Sequence, residues 1–372
     1  MEMTIAGDEY DDEAALAVFD FHESRGGVCG LVESGVTKVP PLFVTPTAPI
    51  STAAGAAFVA PTVDLLLPRS HVVALVGAAA RSCGLFQVTN HGIPAVTIDS
   101  ALSAIRAFNE QPLAARSAYY STSPTGAATY ATIPIPLPSA GQPANAPLLP
   151  WRDSLSLRLH DGAAKPDLDH LPKACRDALL EYHRSMTGLG KEIARLLSEA
   201  LGVGAEQLER ATQLQGGLMQ CHYYPPCPQP ERVLGSRHHT DGDLFTVLAQ
   251  DGLGGLQVRL DDDEDDDAAW LDVVPVTGAL LINIGDVLKV VSNDNYKSVE
   301  HRVVIKSTKE ARVSIALFFK PAKLDDSHFF GPLPELVTQE MPARYRSLTW
   351  PELLDYRKEL GHARTSVDKF KL

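Results

Sequence analysis

The sequence predicts an α+β chain: a mainly helical amino-terminal region, a β core of jelly-roll type, and a closing carboxy-terminal helix. Three observations predict it. Over residues 172–201, Leu179, Met186, Leu189, Ile193, Leu196, Leu197 and Leu201 recur at three- and four-residue steps, the spacing of one helix face. After residue 215 the period drops to two. "LMQCHYY", "LFTVLAQ", "LGGLQVRL", "AWLDVVPV", "ALLINIG", "SVEHRVVI" and "ARVSIALFF" are short, β-rich and punctuated by Gly, Asp, Asn or Pro, with no helical pattern between them. Finally, "TWPELLDYRKELG" (349–361) has Thr349 and Glu352 spaced as a capping box, Pro351 in the first turn and Gly361 as a stop.

The remaining elements follow in chain order. Residues 11–23 have a short helical pattern, and Gly- and Pro-rich text at 35–57 reads as an extended arm. "PTVDLLL" (61–67) is a short strand. "SHVVALVGAAARSCG" (70–84) is a helix with Ser70 as N-cap and Gly84 as stop. "LFQVTN" (85–90) is a strand and 94–111 a helix. Residues 121–150 are Ser-, Thr-, Pro- and Ala-rich without a period, a loop long enough to cover something. A second helix follows at 204–214. The domain reading is an arm at 1–60, a mainly helical region at 61–214 and the jelly-roll domain at 215–372.

Composition excludes several classes. A formal charge of −13 argues against nucleic acid or an anionic membrane surface as partner. The acidic run "DDDEDDD" (261–267) carries seven of those charges and is expected to cap an exposed hairpin. No run of 18 apolar residues exists, and the acidic first twenty residues lack the features of a signal peptide. The five cysteines are odd in number and without a CxxC spacing, which fits a reducing, cytoplasmic compartment.

"SRHHTDGDLFTV" (236–247) is the first chemical signal. On a strand His239 and Asp241 point to one face, and Thr240 and His238 to the other. Two His and one carboxylate on one face is the ligand set of non-haem Fe(II) oxygenases, with three positions open. His301, on the later segment "KSVEHRVVI", supplies the missing imidazole. Open iron positions are useful when a 2-oxo acid chelates the metal and its far carboxylate is held. Arg312 and Ser314 share a face on "ARVSIALFF", and a guanidinium grips a carboxylate with two parallel N–H bonds. On "QCHYYPPCP", Gln220, His222 and Tyr224 share a face, and a Tyr224 hydroxyl there serves as a further donor. Counting by two beyond Ser314 gives Ala316, Phe318 and Lys320. Phe318 is the expected flat apolar wall of the substrate pocket, with Gln220 and His222 opposite and Lys320 at its entrance.

With these residues in place, the chain resembles plant soluble Fe(II)/2-oxoglutarate-dependent dioxygenases. "CGLFQVTNHGI" (83–93), "WRDSLSL" (151–157), "HYYPPCPQPE" (222–231), "HTDGDLFTVLAQDGLGGLQV" (239–258), "LINIGDVLKVVSNDNYKSVEHRVV" (281–304) and "GPLPELV" (331–337) match in order. The arm at 19–44 is similar to the 1-aminocyclopropane-1-carboxylate oxidase homologue subgroup, which includes benzoxazinone-glucoside dioxygenases. The resemblance implies a double-stranded β-helix core, iron at His239, Asp241 and His301, and 2-oxoglutarate at Arg312, Ser314 and Tyr224. It implies hydroxylation, or O-demethylation, of a small plant specialised metabolite or hormone, with O2 consumed, succinate and CO2 released, and ascorbate as reductant. A monomer acting on a small molecule is expected. Two other readings stand beside it: an ascorbate-dependent aminocyclopropane-carboxylate oxidase, and a catalytically silent binding protein on this fold.

Overall fold

The computed structural model describes residues 16–46, 49–50, 56–122, 127–132, 149–159, 171–260, 269–322, 325, 327–360 and 367–372. The acidic run 261–267, most of the loop at 121–150 and the stop at Gly361 lie outside the described residues.

Two sheets form the core. The larger has eight strands. In chain order they are β2 (Thr62–Asp64), β3 (Leu85–Thr89), β4 (Ala128–Ala131), β5 (Asp153–Arg158), β6 (Gln215–Tyr224), β8 (Phe245–Gln250), β11 (Leu280–Ile284) and β13 (Arg312–Lys320). Their spatial order is β2-β3-β11-β8-β13-β6-β5-β4. The smaller, five-stranded sheet contains β1 (Ala57–Phe58), β7 (Leu234–His239), β9 (Leu256–Arg259), β10 (Leu271–Val273) and β12 (Glu300–Val304), in the order β1-β10-β9-β12-β7. Among themselves the strands β6 to β13 pair antiparallel, the double-stranded β-helix arrangement. Residues before 215 also supply strands β1 to β5, so the amino-terminal region completes both sheets as well as carrying helices.

Helices cover the outer face of the large sheet. They are α2 (Arg69–Ser82), α3 (Ala95–Asn109) and α4 (Arg176–Ala200), after a short α1 (Gly27–Glu33) in the arm and before a short α5 (Gln207–Thr212). Leu179, Met186, Leu189, Ile193, Leu196 and Leu197 of α4 are buried as the periodicity requires, while Leu201 is only partly so. Gly190 lets α4 approach β13: a Cβ at that position would collide with the ring of Phe319. Phe319 in turn stacks on Phe245 of β8, with centroids 4.8 Å apart. The strand carrying Arg312 and Ser314 is therefore seated from outside by a helix.

Two local expectations change. Ser70 is not the N-cap of α2: the helix begins at Arg69 after Pro68, which fixes φ for helix entry, so Ser70 lies within the first turn. Gly84 does end that segment, with φ +65 and its Cα against the Lys297 carbonyl. Asp241 is not on a strand, because β7 ends at His239 and residues 240–244 turn. The count by two holds along β13 through Lys320: at the β13–β6 register shift the extra residue is on β6, where Phe318 pairs with Leu218 and Lys320 with Gln215. The closing helix, α7 (Trp350–Leu360), follows its sequence signal closely. The Thr349 N–H donates to Glu352 Oε2 (2.9 Å), and the Glu352 N–H donates to Thr349 Oγ1 (3.3 Å), a reciprocal capping box.

Candidate active site

The two sheets close over a cavity whose walls carry His239, Asp241, His301, Tyr224, Arg312 and Ser314 together. His239 reaches it from the end of β7 and His301 from β12, directly paired across the ladder. The register there slips so that Ser236 and His239 both face inward. His238 is left outside, its Nδ1 2.6 Å from Glu300 Oε1 and its ring edge-on to Trp270.

Asp241 Oδ1 lies 3.7 Å from both His239 Nε2 and His301 Nε2, and one donor atom of each residue falls within 4.8 Å of the others. The two ring Nδ1 atoms sit against backbone carbonyls, His239 on Arg237 O (2.7 Å) and His301 on Val299 O (3.2 Å). A proton on each Nδ1 satisfies those carbonyls and leaves the Nε2 lone pairs facing the cavity. Asp241 Oδ2 accepts from Thr246 Oγ1 and Asn283 Nδ2, both at 2.7 Å, which leaves Oδ1 for the site. Burial, then His301, holds the His239 imidazole below its usual range and therefore neutral. Burial opposes ionisation of Asp241, but His301, His239 and the two hydrogen bonds outweigh it and keep the carboxyl ionised. A neutral His239 imidazole, the His301 Nε2 turned to the same point and an ionised carboxylate fit a divalent metal with open positions.

The turn bearing Asp241 is clamped from below. The Thr240 hydroxyl donates to Asp286 Oδ2 (2.9 Å) at the start of α6 (Asp286–Val291). Arg357 of α7 donates to the same oxygen (2.8 Å) and to the Thr240 carbonyl (2.7 Å).

Further along the cavity, Arg312 Nη1 donates to Ser314 Oγ (3.1 Å) and Nη2 to Gln250 Oε1 (2.7 Å). Its guanidinium carbon lies 4.8 Å from the Tyr224 ring centre. The Nε–H of Arg312 is buried without a partner, a donor available to an acidic ligand. Burial disfavours the Tyr224 phenolate, yet Arg152 and Arg312 on either side, with hydrogen bonds from Ser314 and Arg152, bring its hydroxyl below the ordinary range. The pairing of β13 with β6 sets Arg312 opposite Tyr224, Ser314 opposite His222 and Ala316 opposite Gln220.

Gln220, His222 and Phe318 line this cavity. Lys320 does not: two residues further along β13 it is half-buried, with Asp243 as the carboxylate acting on it. Sequence reasoning overlooked Arg152 and Ser154, which enter from β5 and the residue before it. Ser154 Oγ lies 2.8 Å from His222 Nδ1. Their signal was available: in "WRDSL" they are two apart and so share a face. Thr246, Asn283, Asp286 and Arg357 were also unassigned.

Residues 215–321 match the model of the 2OG-Fe(II) oxygenase superfamily, and residues 60–175 match that of the non-haem dioxygenase in morphine synthesis N-terminal domain. The chain is 35% identical to 1-aminocyclopropane-1-carboxylate oxidase homolog 1 of Arabidopsis thaliana, covering 96% of this chain and 95% of that one. It is 35% identical to a 1-aminocyclopropane-1-carboxylate oxidase homolog of Solanum lycopersicum, with both chains fully covered at 100%. Among solved structures, JOX2 in complex with 2OG, Fe and JA superposes with a TM-score of 0.77 at 29% identity, covering 93% of this chain and 97% of that one. The rice dioxygenase for auxin oxidation gives 0.66 at 25% identity, covering 84% and 100%. A cavity that joins a two-histidine, one-carboxylate cluster to an arginine–serine–tyrosine cradle, in a chain so closely related over its whole length, makes this protein a member of the 2OG-Fe(II) oxygenase superfamily: an oxidoreductase that uses Fe(II) and 2-oxoglutarate.

Proposed function

We propose that this protein oxidises a C–H bond of a small plant specialised metabolite or hormone, with His239, Asp241 and His301 holding iron and Arg312, Ser314 and Tyr224 holding 2-oxoglutarate. The observation that carries this reading is the placement of both groups of residues in one cavity, each with unused donor or acceptor capacity directed inward. Iron with 2-oxoglutarate supplies oxygen activation coupled to decarboxylation of the cosubstrate to succinate and CO2.

The chain's own task is to bind, orient and keep out water. Asp241 and the two imidazoles would hold the metal from their side of the cavity, where it would supply oxygen activation. Arg312 and Ser314 fix the far carboxylate of the 2-oxo acid, and Tyr224 adds a hydroxyl. The Arg312 fork is held in register by Gln250. Leu248, Phe318 and Ala316 form apolar wall that dries the cavity and strengthens each polar contact in it. Hydroxylation is the direct product, and a hydroxyl placed on an O-methyl carbon gives a hemiacetal that breaks its C–O bond to the free hydroxyl compound and formaldehyde. Among the described residues no helix is long and apolar enough to cross a membrane. All five cysteines are buried and free, which supports a reducing, cytoplasmic setting. The protein acts as a monomer, with ascorbate as external reductant.

The test is a comparison of plant extract before and after incubation with enzyme, Fe(II), 2-oxoglutarate and ascorbate, scored by untargeted mass spectrometry with succinate measured in parallel. A metabolite gaining one oxygen or losing a methyl group, in step with succinate, is expected. Turnover without succinate points to an ascorbate-dependent oxidase, and 2-oxoglutarate binding without oxygen uptake to a silent binding protein.

A further inference from the structure

Arg152 is a second guanidinium in the cavity, and beyond its bond to the Tyr224 hydroxyl the cosubstrate reading gives it no anion to hold. It sits between two fully buried anchors. Trp151 donates its indole N–H to the Pro225 carbonyl (3.1 Å) and its backbone N–H to the Leu234 carbonyl (2.9 Å). Asp153 turns the opposite way, accepting from the Val28 and Cys29 backbone N–H groups of α1 (2.9 and 2.8 Å). Alternation along this segment then sends Arg152 and Ser154 inward together. Both reach the cavity wall: Ser154 bonds His222, and Arg152 bonds the Tyr224 hydroxyl.

Among the described residues no carboxylate pairs with Arg152, and its Nε–H is buried without an acceptor. Charge bookkeeping sharpens the point. Apart from histidines, the ionised side chains lining the cavity are Asp241, Arg312 and Arg152. A divalent metal balances the two carboxylates of 2-oxoglutarate, and Arg312 balances Asp241. One positive charge, on the half-buried Arg152, is left over facing the cavity, with its Nε–H buried and lacking an acceptor. A guanidinium fork matches the planar, two-oxygen geometry of a carboxylate.

We infer that Arg152 is a substrate-binding residue that receives a carboxylate of the primary substrate, so the oxidised metabolite is a small organic acid. This rests on the proposed seat of 2-oxoglutarate at Arg312. The acid's apolar body lies against Phe318 and Leu248, and its anionic end lies beside His222. Ser154 positions His222 and thereby the wall against which the acid is held.

The test measures binding without turnover. Protein loaded with Fe(II) and 2-oxoglutarate under argon is titrated by calorimetry with a panel of small aromatic and aliphatic monocarboxylates, each matched with its neutral carboxamide. The wild type is expected to bind at least one acid roughly tenfold or more tighter than its amide, the scale of one charge-assisted hydrogen bond. Arg152→Gln should lose that preference while amide affinity stays within about twofold; through its contact with Tyr224 the dissociation constant for 2-oxoglutarate should rise by clearly less than about tenfold. Arg152→Lys, which keeps the charge but not the fork, should lose part of it and serves if the glutamine variant does not fold. The inference is overturned if no acid outbinds its amide in the wild type. It is equally overturned if Arg152→Gln weakens 2-oxoglutarate by roughly tenfold while the acid preference survives, since Arg152 would then belong to the cosubstrate. Failure of the underlying reading looks different: wild-type protein would not bind 2-oxoglutarate in an Fe(II)-dependent manner at all.

Discussion

Adjacent histidines give the residue scale its clearest contrast. His239 and His238 differ by one position, yet one offers a free Nε2 to the cavity and the other is spent on Glu300 outside it. His239→Ala, Asp241→Ala or His301→Ala should abolish Fe(II) binding and succinate release, since each removes one of three protein donors. His238→Ala should keep the Fe(II) dissociation constant within about threefold, a difference under 1 kcal/mol. Anaerobic metal titration checks both, and the reverse pattern would shift the ligand assignment by one residue. Arg312→Lys retains a charge but loses one prong of the fork. The KM for 2-oxoglutarate should rise roughly ten- to a hundredfold, the worth of about 1.5–3 kcal/mol, while affinity for the primary substrate changes little. Steady-state kinetics at saturating substrate separates the two constants.

At the scale of elements, the arm and the cavity wall are joined through one buried carboxylate. Asp153 is fully buried and accepts the first backbone N–H groups of α1 as well as the Thr132 hydroxyl (2.6 Å). It therefore caps a helix that has no side-chain cap of its own. Asp153→Ala strands three buried donors and should cost about 3 kcal/mol or more, read as a lower denaturation midpoint with an unchanged slope. Because Arg152 and Ser154 flank Asp153, limited proteolysis within the arm should rise in the same variant. This coupling was not visible in the text of the arm. Gly- and Pro-rich sequence announces an extended path, but not which strand will receive it.

On the scale of the whole molecule, the chain's last helix supports its metal turn. Arg357, more than a hundred residues after Thr240, bonds that residue's carbonyl and the buried Asp286. Arg357→Ala should destabilise the fold by about 3 kcal/mol, as breaking a buried ion pair does. It should also weaken Fe(II) binding roughly tenfold through the loosened turn, comparable to loss of a partner that orients a metal ligand. Thermal unfolding with and without Fe(II) and 2-oxoglutarate measures both: the ligand-induced stabilisation should shrink together with the basal stability. Equal stabilisation of variant and wild type would show that α7 supports the fold without supporting the site.

Local patterns carried the fold class, the amphipathic face of α4, the capping box at Thr349 and the parity that sets Arg312 beside Ser314, because period and cap are properties of neighbouring residues. The sequence alone also singled out His239, Asp241 and His301, since few arrangements place those types on successive β segments in that order. It did not determine that Asp241 stands on a turn, that an extra residue in β7 brings Ser236 onto the face of His239, or how far along β13 the cavity extends. Each of these depends on how two strands align, and alignment is settled by partners distant in the chain. Arg152, Asp286 and Arg357 were silent for the same reason: an arginine or aspartate acquires a role only from what the folded chain brings against it. Tertiary structure decided which charges are cancelled and which single one is left facing the cavity, because cancellation is a matter of distance in space, not of spacing in sequence.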